Sequence, residues 1–317
     1  MIYLNNNDIE NLGQNWQKLI DIISDGIKLL KEGDYSQPIK LYLRYKSTKN
    51  RIIAMPAYIG YKSGVAGLKW IASFPDNLKI GLTRANSITI LNNVNTGVPE
   101  AIINSSKISS VRTASVSGSV LRKYVSDKNL KKLVVAIIGF GPIGYEHYQM
   151  CKSLLGNAAS YKIFDMNPKV FEKHTFDENT KRANSLEDAM SDADVVIAAT
   201  NALEPYISNR PKDGSLVLNV SLRDFVPDYL DFVSGGIIVD DWDEVNREGT
   251  NIESFSKQKN LKKEDVLEIK DLLTGKFIFQ EGQNYMFCPM GMAVFDMLVA
   301  DYYNQRAIAI GCGANLQ

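Results

Sequence analysis

Cysteine and histidine are scarce in this 317-residue chain, which has three of the first (Cys151, Cys288, Cys312) and two of the second (His147, His174). An odd number of widely spaced cysteines with no CxxC pair argues against disulfides and a cysteine-based metal centre. Two histidines cannot build a His-rich metal site, so no metal is expected, and His147 reads as a surface or packing residue. Net charge is also absent: 36 lysines and arginines balance 36 acids, so nothing steers the chain toward nucleic acid or an anionic membrane. A small-molecule partner fits better. No apolar run approaches the roughly 20 residues of a membrane span. The N-terminus lacks the basic-then-apolar order of a signal peptide, so the expected location is the cytoplasm. Internal repeats and low-complexity segments are missing as well.

What is present begins with Gly139-Phe140-Gly141-Pro142-Ile143-Gly144, which follows the apolar run from Leu133 to Ile138 and opens a segment able to continue as a helix. In that context the glycines suit a dinucleotide: Gly139 makes the tight turn, Gly141 admits a pyrophosphate, and Gly144 packs helix on strand. Pro142 and Ile143 start the helix whose positive end faces the phosphates. A second strand, Tyr161 to Phe164, ends in Asp165, about 20 residues past Gly144, where a carboxylate meets the adenosine ribose. Asp165 would repel a 2′-phosphate, and Met166 and Asn167 offer no cation, so the cofactor reads as NAD rather than NADP.

Length suggests about two domains. Residues 8 to 31 show helical spacing of apolar side chains, with Asn7 or Asp8 as the cap. Strand-like segments follow at Ile39 to Leu43, Arg51 to Ala57, Gly64 to Ala72, Ser87 to Asn92 and Glu100 to Asn104, which predicts a largely antiparallel or mixed sheet. A helix capped at Ser105-Ser106 then leads to the strand at Leu133. From 133 to about 245, strands and helices alternate as in a doubly wound parallel sheet, with Thr200 and Asn201 at a strand's carboxyl end, where such sheets bind ligands. The charged stretch Lys257 to Lys270 reads as a solvated helix. An apolar helix from Val294 to about Tyr303 is expected to return to the first domain. The fold expected is therefore α/β: a Rossmann domain over 119–285 and a discontinuous α+β substrate and dimerisation domain over 1–118 and 286–317.

The blocks Arg51 to Pro56, Gly67-Leu-Lys-Trp70, Ser110-Val-Arg-Thr-Ala114, Asp240-Asp-Trp242 and Pro289-Met-Gly-Met292, with the central glycine turn, resemble the ornithine cyclodeaminase and mu-crystallin family over nearly the whole chain. The resemblance implies that Arg44, Lys69 and Arg112 hold substrate carboxylates, that Asp224 faces the reacting carbon, and that the protein is a homodimer. Gly291 is placed with the cofactor residues. The activity implied is NAD-dependent oxidation, with imine hydrolysis, of an N-substituted amino acid; alternatives are ornithine cyclodeaminase, an alanine-type dehydrogenase, a ketimine reductase, or a mu-crystallin-like binding protein. Ornithine cyclodeaminases carry a glutamate two residues before the Met-Pro pair, and here that position is Ile53.

The residues themselves suit this chemistry. Arginine offers a planar fork to a carboxylate and keeps its charge when desolvated. Lys69 is a lone cation in an apolar strand, where burial lowers a lysine pKa toward neutrality, the competing reading being an edge-strand lysine. Asp224 follows a buried strand, where it could act as a base or as a turn cap. Asp240 and Asp241 read as structural.

Overall fold

The structure, a computed structural model, describes residues 1–316, the side chain of Thr48 excepted. The chain divides into two compact units, 1–112 with 292–317, and 113–291.

The first unit opens with β1 (Ile2–Leu4), α1 (Asn6–Leu12) and α2 (Trp16–Glu32). The expected single helix is thus two. Asn5 caps the first in a capping box with Asp8, Gly13 at φ 61° ends it, and Asn15 caps the second by accepting the Lys18 N–H. Next come β2 (Tyr35–Ser36), β3 (Leu41–Tyr45), β4 (Ser47–Ile59), β5 (Val65–Ser73), β6 (Ala85–Asn92) and β7 (Pro99–Ile103). α3 (Lys107–Asp127) follows, with Ser105 Oγ accepting the Lys107 N–H at 3.2 Å.

The second unit carries β8 (Leu133–Ile138), α4 (Pro142–Leu155), β9 (Ala159–Phe164), β10 (Thr180–Arg182), α5 (Leu186–Met190), β11 (Val195–Ala198), β12 (Leu216–Asn219) and β13 (Gly236–Val239). It continues through α6 (Trp242–Val245), α7 (Asn251–Lys259), β14 (Val266–Glu268), α8 (Ile269–Thr274) and β15 (Tyr285–Cys288). All of its strands pair in parallel, in the order β10-β9-β8-β11-β12-β15-β13-β14. The four central strands β8, β11, β12 and β15 are apolar and almost wholly buried, as a parallel sheet covered on both faces requires. Two expectations change here. The segment Lys257 to Lys270 is not one helix: α7 stops at Lys259, and β14 adds the sheet's last strand. The break drawn at 286 would cut β15, whose pairing with β12 and β13 keeps residues 285–288 in this unit.

The chain then re-enters the first unit as α9 (Ala293–Ile310) and β16 (Ala314–Asn315). The first sheet runs β16-β1-β7-β6-β5-β4-β2, with β3 also on β4; it is antiparallel except for β1 against β7. α9 packs against β4, β5, β6 and α2. Pairing register sorts the sheet into two faces. Met55, Lys69 and Thr89 form one cross-strand row; Tyr42, Ile53, Ile71 and Ser87 form the next on the same face. The opposite face carries the row Leu41, Ala54, Trp70 and Ile88, of which Leu41 is 68%, Trp70 42% and Ile88 39% exposed.

Candidate active site

In the second unit the glycine turn has the shape of a cofactor cradle. Gly139 adopts φ 88°, and a Cβ there would lie 2.7 Å from the Ala199 carbonyl oxygen. A Cβ at Gly144 would collide with the Gly139 carbonyl, so α4 can pack this closely only on glycine. At Gly141, by contrast, a Cβ would meet no protein atom within 4 Å. That open space lies at the N-terminus of α4, where Pro142 takes the first helical position and Ile143 is 40% exposed. Open space at a helix N-terminus is what a pyrophosphate needs.

Asp165 is tied to the same turn. Its Oδ2 accepts the Phe140 N–H at 2.7 Å and its Oδ1 the Asn167 N–H at 2.8 Å, which fixes a half-buried carboxylate with lone pairs left for ribose hydroxyls. Met166 beside it is 88% exposed. Gly291 donates its N–H to Asp240 Oδ2 at 2.6 Å and Met290 donates to Oδ1 at 2.9 Å, so Asp240 shapes the turn at 290–291. Asp241 caps α6.

Asp224 lies past the end of β12 and is fully buried. The hydroxyls of Thr200 and Ser221 donate to its two carboxylate oxygens, and the Ala202 N–H in turn donates to Thr200 Oγ1 at 3.1 Å. Burial pushes the acid up to about 6, against the Thr200 hydrogen bond and the charge of Arg223. Thr200, taken from the sequence as a cofactor contact, is therefore also a partner of the acid. Asn201 next to it is exposed. His147, of the two readings offered, is a packing residue. Nδ1 faces the Ile143 carbonyl at 2.8 Å and so carries the proton, Nε2 accepts from the Ser117 hydroxyl at 2.9 Å, and burial holds the ring near 4.

The first unit holds a second constellation. Lys69 belongs to β5, which has β4 on one side and β6 on the other, so it is no edge-strand lysine. Its ammonium donates to Ser109 Oγ at 2.6 Å and to Asp296 Oδ1 at 2.8 Å. Arg112 Nε donates to that same oxygen at 2.9 Å. All three charged side chains are at least nine-tenths buried. Desolvation brings Lys69 down to about 8, opposed by Asp296 and reinforced by the charges of Arg112 and Lys40. Burial alone would raise Asp296, but its two cations hold it below the usual carboxylate range. Because Arg112 is bound to Asp296 on α9, the start of α3 belongs to the first unit, and the break falls at 112/113 rather than 118/119.

Asp296 was not among the residues singled out from the sequence, although it is the one acid in the apolar first half of α9, Ala293 to Ala300, just as Lys69 is a lone cation in an apolar strand. Lys40, nearly buried, was missed in the same way. Arg44 stands on β3, exposed, with its guanidinium carbon 5.0 Å from the Tyr42 ring centroid. Ile53 is buried in the row next to Lys69, so this site has no carboxylate at that position. Among the described residues no group of three His, Cys, Asp or Glu could hold a metal, and no helix is long and apolar enough to cross a membrane.

Comparison with known proteins decides the lineage. The model of the ornithine cyclodeaminase/mu-crystallin family matches residues 2–310. The chain belongs to this family. Among the family's proteins, the N-((2S)-2-amino-2-carboxyethyl)-L-glutamate dehydrogenase of Staphylococcus aureus (strain NCTC 8325 / PS 47) is 31% identical, over 100% of this chain and 98% of that protein. Two solved structures share the fold. The Delta(1)-pyrroline-2-carboxylate reductase of Thermococcus litoralis, in complex with NADH and L-proline, superposes with a TM-score of 0.88 at 21% identity, covering 100% of both chains. An archaeal alanine dehydrogenase dimer with bound NAD gives 0.86 at 22%, covering 100% of this chain and 99% of that one.

Proposed function

We propose that this protein is an NAD-dependent dehydrogenase that oxidises the Cα–N bond of an N-substituted glutamate. Its substrate is of the kind named for the staphylococcal relative, N-((2S)-2-amino-2-carboxyethyl)-L-glutamate. The observation that carries the reading is the buried cluster of Lys69, Arg112 and Asp296. Lys69 and Arg112 there face one carboxylate, with the charge of Lys40 also acting on Lys69, so the cations outnumber the acid and suit a substrate carboxylate. Ile53 adds to it, since an apolar side chain stands where the cyclodeaminase reading needs a glutamate.

NAD, held by the glycine turn and Asp165, supplies the hydride acceptor. The protein holds the substrate and moves protons. Lys69 and Arg112 grip the glutamate α-carboxylate as the Cα–H electron pair departs. Asp224 takes the proton leaving the amine through the Thr200 hydroxyl that already donates to it, and passes that proton to solvent. The same acid then carries both protons of the water to the departing nitrogen, one as the water adds to the imine carbon and the second, from the resulting hydroxyl, as the carbonyl forms. The C–N bond breaks, leaving 2-oxoglutarate and 2,3-diaminopropionate. The balance is substrate, NAD⁺ and water giving the two products, NADH and one proton.

The exposed apolar row of Leu41, Trp70 and Ile88 supports a homodimer formed through the first unit, and the alanine dehydrogenase structure is itself a dimer. A cytoplasmic location belongs to the same reading. The test is a panel of N-carboxyalkyl glutamates, alanine, proline and ornithine offered with NAD and followed at the NADH absorbance. The N-substituted glutamate should give the largest kcat/KM. Turnover of ornithine or proline in its place would reject the substrate, and no turnover at all would favour a binding protein.

A further inference from the structure

Tyr42 sits in the cross-strand row adjacent to that of Lys69, on the same face of the first sheet. Two guanidinium groups gather on its ring: Arg44 at 5.0 Å and Arg51 at 5.5 Å from the centroid. Arg84 immediately precedes Ala85, which pairs with Ser73 on β5, and Ser73 in turn pairs with Arg51 on β4, so the two arginines stand at the same end of neighbouring strands. Burial first, and then the charge of Arg51, holds the Arg84 guanidinium below the usual arginine range. Among the described residues neither Arg51 nor Arg84 has an acid within salt-bridge distance, and both are half-buried. Desolvated like charges without a counter-ion are unfavourable, and an anion seated between them removes the cost. Their forked donors suit a carboxylate.

We propose that Arg51 and Arg84, together with Arg44, form a second carboxylate site. It would receive the distal carboxylate of a di- or tricarboxylic substrate while Lys69 and Arg112 hold the first. This rests on the substrate class proposed above and adds what selects it. Arg51 pairs with Ser73, four residues or about 13 Å along the strands from the row of Lys69. Its guanidinium and that of Arg44, however, lie against the ring of Tyr42, in the row about 7 Å from that of Lys69, a span that the carbon chain of glutamate can bridge. Alanine and proline, with a single carboxylate, would leave the arginine site empty. The site is therefore a specificity determinant rather than part of the proton chemistry.

The experiment compares 2-oxoglutarate with pyruvate, a keto acid with one carboxylate, by calorimetric titration into protein saturated with NADH. Unmodified protein should bind 2-oxoglutarate the more tightly. Arg51→Gln and Arg84→Gln should each weaken 2-oxoglutarate by about tenfold or more, as loss of a charge-assisted contact implies, and leave pyruvate within roughly twofold. Arg51→Lys keeps the charge and loses the fork, so it should fall between; it also keeps the idea testable if a glutamine variant fails to fold. Equal weakening of both keto acids, no weakening of either, or equal binding of both by unmodified protein would overturn the proposal. If unmodified protein selects 2-oxoglutarate through these arginines yet turns over no N-substituted glutamate, the arginine site stands and the proposed reaction falls.

Discussion

Lys69 and Asp296 form an ion pair at 2.8 Å with each side chain only 2% exposed, and they come from positions 227 residues apart. Arg112 shares the same carboxylate oxygen. The pairing sets two cations against one carboxylate in a desolvated place: Asp296 opposes the fall that burial imposes on Lys69, and the two cations hold Asp296 below the usual carboxylate range.

Asp296→Asn keeps the shape and removes the charge, leaving two buried cations opposed only to one another. Removal of one partner from a buried pair costs on the order of 3 to 5 kcal/mol. Urea unfolding should show a loss of that size, with substrate binding weakened as Lys69 sheds its proton more easily. Unchanged stability would mean that Asp296 is incidental to the cluster.

The pH profile of kcat/KM should be bell-shaped. Asp224 must be ionised to accept a proton, so activity should fall as pH drops through about 6. Lys69 must be protonated to hold a carboxylate, so activity should fall again as pH rises through about 8. Lys69→Arg should move the alkaline limb upward, because a guanidinium keeps its proton there. Asp224→Asn should lower turnover by roughly 10²- to 10⁴-fold with substrate still bound. An alkaline limb that stays near 8 in Lys69→Arg would assign it to another group.

NAD should bind well and NADP poorly, since Asp165 repels a 2′-phosphate and the exposed Met166 supplies no cation. Asp165→Ser with Met166→Arg should narrow or reverse the preference in fluorescence titrations, at some loss of overall affinity because the Phe140 and Asn167 N–H groups lose their carboxylate. Tighter binding of NADPH by the unmodified protein would reject the role of Asp165.

Trp70→Glu places a charge in the middle of the exposed apolar row and should convert a dimer to a monomer in sedimentation, with the fold retained. A variant as dimeric as its parent would put the contact on another surface.

The cofactor turn was legible because its signal is local: an apolar strand, three glycines, a helix and a strand ending in an acid lie within one contiguous stretch. The cluster around Asp296 was only half legible. Lys69 and Arg112 stood out among apolar neighbours, but their partner comes from the far end of the chain and nothing in either segment announces the pairing. Local patterning misled where a break interrupts an otherwise steady period, as Gly13 does between α1 and α2. It misled again where composition hides geometry, since the charged run ending at Lys270 contains β14, a short strand at the edge of a sheet. The tie of Asp224 to the Thr200 and Ser221 hydroxyls follows from how two strand ends meet, which no spacing records.

The central claim is that hydride leaves the glutamate Cα of an N-substituted glutamate, and that water then splits the resulting imine. The most direct measurement uses substrate deuterated at that carbon, incubated with NAD, with the cofactor and organic products analysed by mass spectrometry. The account predicts deuterium in the reduced cofactor, one 2-oxoglutarate for each NADH, and unlabelled 2,3-diaminopropionate. Deuterium retained in an organic product, or NADH formed without 2-oxoglutarate, would contradict it.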